Sequence, residues 1–230
     1  MRKFFIVAFL GFCIVLTASR KSEADVPDYH TIFHSLSAYG NWLNLPAYGE
    51  VWQPKQQGAD WRPYKMGRWR WSEYGWMWVS DEPWGWATYH YGTWYHDLYY
   101  GWVWVPGLVW GPSWVSWFEG RRYIGWAPLL PEGANRTFDP SFCVFIPFRQ
   151  FLDSDVARIT YPSIQNKKII NETTLLPSNN DVLNLDNSYA GPNLVLVRRI
   201  TRRRISKVLL ASHGFITETP TEESLQAFRR

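Results

Sequence analysis

A short phrase, Tyr-Gly-X-X-Trp, recurs three times at an interval of 26 residues: Tyr48–Trp52 (YGEVW), Tyr74–Trp78 (YGWMW) and Tyr100–Trp104 (YGWVW). A Gly-X-Trp leader precedes each copy, at Gly40–Trp42, Gly67–Trp69 and Gly92–Trp94, and a decayed fourth copy remains in YIGWAP, Tyr123–Pro128. A fixed period of this size marks one supersecondary unit used several times, each copy too small to bury its apolar face alone. All sixteen tryptophans of the chain lie between Trp42 and Trp126, within this segment.

Alternation identifies the unit. Trp-X-Trp pairs occur at 69/71, 76/78, 84/86 and 102/104, and in a strand residues two apart share a face. Gly, Tyr, Thr and Trp enrichment with frequent turns argues antiparallel strands. In the string Arg68–Ser80, a two-residue turn at Glu73 and Tyr74 sets Trp71 opposite Trp76 and Trp69 opposite Trp78, a four-ring ladder on one face. Arg70, Met77 and Val79 then take the other face. A three-residue turn using Gly75 at positive φ shifts that register by one, so the ladder is conditional on the turn. The expected fold is mainly all-β: an antiparallel meander of aromatic-rich hairpin repeats, followed by a small C-terminal β unit with a terminal helix.

The choice of aromatic is selective. Between Tyr39 and Trp126 there are sixteen Trp and ten Tyr but one Phe, Phe118. A core needing only volume accepts Phe, whereas Trp and Tyr add an N–H or O–H that wants water or a partner. One reading is a displayed aromatic surface for ligand binding, with Trp69, Trp71, Trp76, Trp78, Trp84, Trp86, Trp102 and Trp104 as its candidates. The other is a small β domain whose core is filled by stacked Trp.

Met1, Arg2 and Lys3 precede an apolar run, Phe4–Leu16, and Ser22-Glu23-Ala24 offers small residues where a signal peptidase cuts. The run is short against the roughly 20 residues of a spanning helix. Residues 1–24 are therefore expected to be a secretory signal peptide and Asp25 the mature start, placing the protein in the periplasm or outside, associated with the cell envelope and not integral to the membrane after cleavage. Without that segment the chain has 20 basic and 19 acidic side chains, so its basic character belongs mostly to the leader. Cys13 leaves with the leader, and Cys143, within FCVFIP, is expected as a buried thiol.

Past about residue 140 tryptophan disappears, so a boundary is expected there between a repeat domain, 25–140, and a C-terminal region, 141–230, unless the two form one sheet. Asn166–Asn180 reads as loops, and LVLVRRI with RISKVLL as a hairpin turning at Thr201–Arg203. Thr219, Pro220, Glu222 and Glu223 mark a terminal helix. Arg198, Arg199, Arg202, Arg203, Arg204 and Lys207 form the sharpest charge cluster. They are read either as a contact for an anionic polymer or as a solvated hairpin tip that discourages edge pairing. Export disfavours nucleic acid as the partner.

Catalytic signals are weak. No HEXXH, Cys-X-X-Cys or Gly-X-Ser-X-Gly occurs. His30 and His34 supply two ligands at most, so no metal or cofactor is expected. His90 and the His96-Asp97 pair are read as hydrogen-bonded structural groups. Glycoside hydrolysis needs two carboxylates roughly 5–10 Å apart, for which Glu73, Asp81, Glu82 and Asp97 are the candidates, although Asp81-Glu82 before Pro83 reads more plainly as a turn.

The strings FHSLSAYGNWLNLPAYGEVWQP, DWRPYKMGRWRWSEYGWMWVSDEPWGWATYHYGTW, GWVWVPG, WVSWF and YIGWAPLLP closely resemble a bacterial family of tryptophan-rich secreted proteins, a domain of unknown function sometimes described by Trp-Gly-Trp repeats. The resemblance covers Phe33 to Pro131, with a weaker likeness through FIPFRQFLDSDV and Tyr189–Ile200. It implies export and an envelope setting, and carries no catalytic residues. The function expected is a non-enzymatic exported module presenting an aromatic surface to envelope polysaccharide or peptidoglycan. A structural or assembly protein with an aromatic core that binds an envelope protein is the first alternative, and a glycoside hydrolase-like enzyme the second.

Overall fold

In the computed structural model, which describes residues 29–55, 57–134, 139–177 and 191–208, every copy of the repeat is a β-hairpin. After helix α1 (Tyr29–Ser37), the hairpins are β1 (Gly40–Leu45) with β2 (Gly49–Pro54), β3 (Gly67–Ser72) with β4 (Gly75–Ser80), and β5 (Tyr91–Asp97) with β6 (Gly101–Trp110). A one-turn helix, α2 (Gly85–Thr88), separates the second from the third. The decayed copy supplies β8 (Tyr123–Pro128), paired with β7 (Val115–Glu119). The glycine of each full phrase opens the second strand of its hairpin, with φ of 68° at Gly49, 95° at Gly75 and 71° at Gly101. A side chain is strained in that left-handed region, so the phrase requires glycine where the chain leaves the turn.

All four hairpins set two tryptophans directly opposite each other: Trp42 with Trp52, Trp69 with Trp78, Trp94 with Trp104, and Trp117 with Trp126. The β3–β4 register is the one expected from a Glu73–Tyr74 turn, with Trp71 opposite Trp76 and Ser72 opposite Gly75. Gly75 takes a positive φ without shifting it. The Trp84/Trp86 pair differs from expectation: it falls at the start of α2 rather than on a strand, so the two rings do not share a sheet face.

The hairpins do not follow one another in a single meander. The first and third join through Trp52 opposite Trp104 into a sheet of order β1-β2-β6-β5. The second hairpin belongs to another sheet, completed by β11 (Lys207–Val208) lying parallel to β3. The fourth is flanked by β9 (Val144–Pro147) on β8 and β10 (Thr174–Leu175) on β7. The sheet therefore crosses residue 140. Arg62, 3% exposed, adds a second link, donating from Nε to the Cys143 carbonyl at 2.9 Å and from Nη2 to that of Tyr161 at 3.4 Å.

Among the described residues three short α-helices lie downstream: α3 (Val156–Ile159), α4 (Asn166–Ile170) and α5 (Leu194–Thr201). Two of them correct the sequence reading. Asn166–Ile170, expected as loop, is α4, held by buried Asn166, whose Nδ2 donates to the carbonyls of Pro140 at 2.9 Å and Cys143 at 2.8 Å. LVLVRRI, expected as a hairpin strand, is α5. The Asn193 side chain caps it by accepting from the Val195 and Leu196 amides, and Val197 and Thr201, one turn apart, form its buried face. The leader and the expected helix beyond Thr219 lie outside the described residues.

Candidate functional site

The rings expected at a surface are mostly interior. Trp69, Trp76, Trp78, Trp84, Trp102 and Trp104 are buried, while Trp71 and Trp86 are half-buried. The ladder face of β3–β4 is covered by the fourth hairpin and by Phe151. Trp69 lies 4.4 Å from Trp117 and 5.2 Å from Trp126, and Trp76 is 4.7 Å from Phe151, in tilted or edge-on geometry. Such arrangements match the positive edge of one ring to the negative face of another. No continuous displayed row of these eight rings results.

Six of the rings use a polar edge that Phe lacks, whereas the buried indole N–H groups of Trp69 and Trp78 have no hydrogen-bond partner among the described residues. Trp52 Nε1 donates to the Leu36 carbonyl at 3.1 Å, Trp76 to Pro192 at 2.8 Å and Trp94 to Thr88 at 3.0 Å. Trp104 donates to Tyr91 at 2.6 Å, Trp114 to His90 at 2.9 Å and Trp126 to Tyr64 at 2.9 Å. Each bond ties a ring to a main-chain carbonyl elsewhere in the fold, and those of Leu36 and His90 also accept the amides of Tyr39 and Gly111. Tyr64 is a further node: it holds φ at 60°, its hydroxyl donates to the Tyr89 carbonyl at 3.0 Å, and it accepts from the Trp114 amide at 3.0 Å. The sequence signalled this role through the near absence of Phe, but not the direction in which the N–H groups point.

The carboxylate candidates separate by environment. Asp81 pairs with Arg68 at 2.8 Å, and Asp97 Oδ1 accepts from the Tyr99 and Tyr100 amides at 2.8 and 2.9 Å, closing the β5–β6 turn. Glu82 is the unusual one. Its Oε1 accepts from Trp61 Nε1 at 2.8 Å and its Oε2 from the Tyr89 hydroxyl. Burial pushes its carboxyl up to about 7, against the lowering effect of those donors. His90 is half-buried with Nδ1 at 3.0 Å from the Gly111 carbonyl, and burial lowers its affinity for a proton. His96 lies between Phe142 and Trp102 at 4.9 and 5.1 Å. Cys143 is a buried thiol raised well above its ordinary value by desolvation.

Residues 33–133 match a family of unknown function (DUF6600). The matched span holds all four hairpins and every tryptophan. Neither curated proteins nor solved structures give a match.

The basic cluster lies beyond that span. Arg198 and Arg199 are exposed on α5, Arg202 to Arg204 follow its end, and Lys207 is exposed on β11. Arg198, Arg202, Arg203 and Arg204, with Ile205 and Ser206, line an open cavity of about 590 Å³. Among the described residues no helix is long and apolar enough to cross a membrane.

Proposed function

We propose that this chain is an exported, non-enzymatic structural or assembly protein of the cell envelope, in which the tryptophan repeats form a stiff aromatic-cored module. Export rests on the charged and apolar leader. The structural role rests on one observation: six indole N–H groups are engaged by main-chain carbonyls. A ring whose N–H and faces are both occupied by its own chain has nothing left to offer a sugar. The partner on this reading is an envelope protein.

An aromatic binding surface for envelope glycan is kept as a second reading because of the Tyr74 edge. Tyr74 is 39% exposed and lies edge-on to half-buried Trp110 at 5.0 Å, beside exposed Leu108 and Val109. Titration with solubilised peptidoglycan and envelope polysaccharides, followed by tryptophan emission and acrylamide quenching, separates the readings. The structural reading expects blue, quencher-protected emission that no glycan moves. A saturable shift with one glycan, abolished by Trp110→Ala, would replace it with the binding reading.

A further inference from the structure

We propose that the arginine-lined cavity at the end of α5 binds phosphate-bearing ligands carrying several negative charges. The segment that forms it is held from both sides. Upstream, α5 is anchored by buried Val197 and Thr201, and downstream β11 pairs with β3, setting Lys207 level with Trp71. In the middle, Arg203 Nη1 reaches the Asp153 carboxylate at 2.9 Å and the Leu152 carbonyl at 3.2 Å. Arg203 therefore acts as a staple. Among the described residues Arg198, Arg202 and Arg204 make no ion pair.

Two features of this arrangement favour an anion. Arg198 and Arg202 are joined by the Arg202 amide on the Arg198 carbonyl at 3.0 Å, and both line the cavity, which gathers their like charges around one opening. Arg202 also occupies the left-handed region at φ 56°, where helix ends favour glycine and a side chain is strained. A chain needing only a helix stop would use glycine there. Arginine at that position adds to the residues lining the same cavity, 590 Å³ in volume, where Arg198, Arg202 and Arg204 stand beside the Asp153-paired Arg203. Guanidinium forks fit the paired oxygens of phosphate, and Ser206 also lines the cavity. Several cations around one opening call for an anion of matching multiple charge, which a single carboxylate does not supply.

Two sources share this chemistry: soluble oligophosphate and the headgroups of an anionic phospholipid surface. The test uses the full chain, Arg202→Gly and Arg204→Ala. Calorimetric titration with tripolyphosphate covers the first source, and flotation with phosphatidylcholine vesicles with or without phosphatidylglycerol the second. Each variant should weaken the interaction about tenfold, one charge-assisted contact, while Arg202→Gly keeps or raises Tm by relieving the strained φ. Tripolyphosphate binding with that pattern assigns a soluble phosphate; binding only to phosphatidylglycerol vesicles with that pattern assigns a lipid surface. If neither probe binds, or if the folded variants bind as tightly as the parent, the proposal is overturned.

Discussion

Trp52 and Trp104 occupy the same place in the first and third copies of the repeat, and they face each other across the join between β2 and β6. Each also faces the leader tryptophan of its own hairpin. The result is one row across all four strands, Trp42, Trp52, Trp104 and Trp94. Two hairpins built on the same phrase thus complete one sheet around a pair of equivalent rings. The row is tied to helical segments, through Trp52 to the last turn of α1 and through Trp94 to the end of α2.

Replacing Trp104 with Ala removes a fully buried ring from the centre of the row and its indole bond to the Tyr91 carbonyl. The expected cost is about 3–5 kcal/mol, typical of a large aromatic truncation. Urea denaturation followed by circular dichroism measures it. The half-buried Trp86, changed to Ala, should cost clearly less.

Glu82 should make stability fall as pH rises. Its carboxyl titrates near 7 in the folded protein, above the 4.5 of an ordinary glutamate, so the native state holds the proton more tightly than the unfolded chain. The favourable contribution is complete below about pH 4.5 and is lost as pH rises through about 7, by at most about 3 kcal/mol. Thermal melts of the parent and of Glu82→Gln across this window check the sign. The variant should lose that part of the slope, and an unchanged slope would place the titration elsewhere.

Arg62 joins the repeat hairpins to the segment past residue 140. Arg62→Ala leaves the Cys143 and Tyr161 carbonyls without this donor and removes the buried partner of Asp60, 2.6 Å away. About 2–4 kcal/mol should be lost. Chemical denaturation should still show one transition, because β9 and β10 share a sheet with β7 and β8.

The hairpins were legible in the sequence because their information is local. Alternation and the Glu73–Tyr74 turn fix the register of Trp69 with Trp78, and the repeated glycine marks the start of each second strand. Which face of a hairpin is covered is not local information. Trp76 is buried by Phe151 and bonded to the Pro192 carbonyl, and nothing near Trp76 in the sequence announces either. Helix α5 is hidden in the sequence for a different reason. Its Val and Ile residues favour strands, but Asn193 as a cap and the spacing of Val197 and Thr201 outweigh that preference. The arginines were visible as a cluster, while their convergence on one cavity depends on the helix end that replaces the expected hairpin turn.

The most direct test of the tryptophans as internal staples is hydrogen exchange at the sixteen indole N–H groups, resolved by ¹⁵N-correlated NMR. The indole protons of Trp52, Trp76, Trp94, Trp104 and Trp126 should exchange only through large-scale opening, far more slowly than that of the half-buried Trp86. Rapid exchange at those five, at the rate of a solvent-facing indole, would contradict a structural role for the repeat and return the rings to a surface.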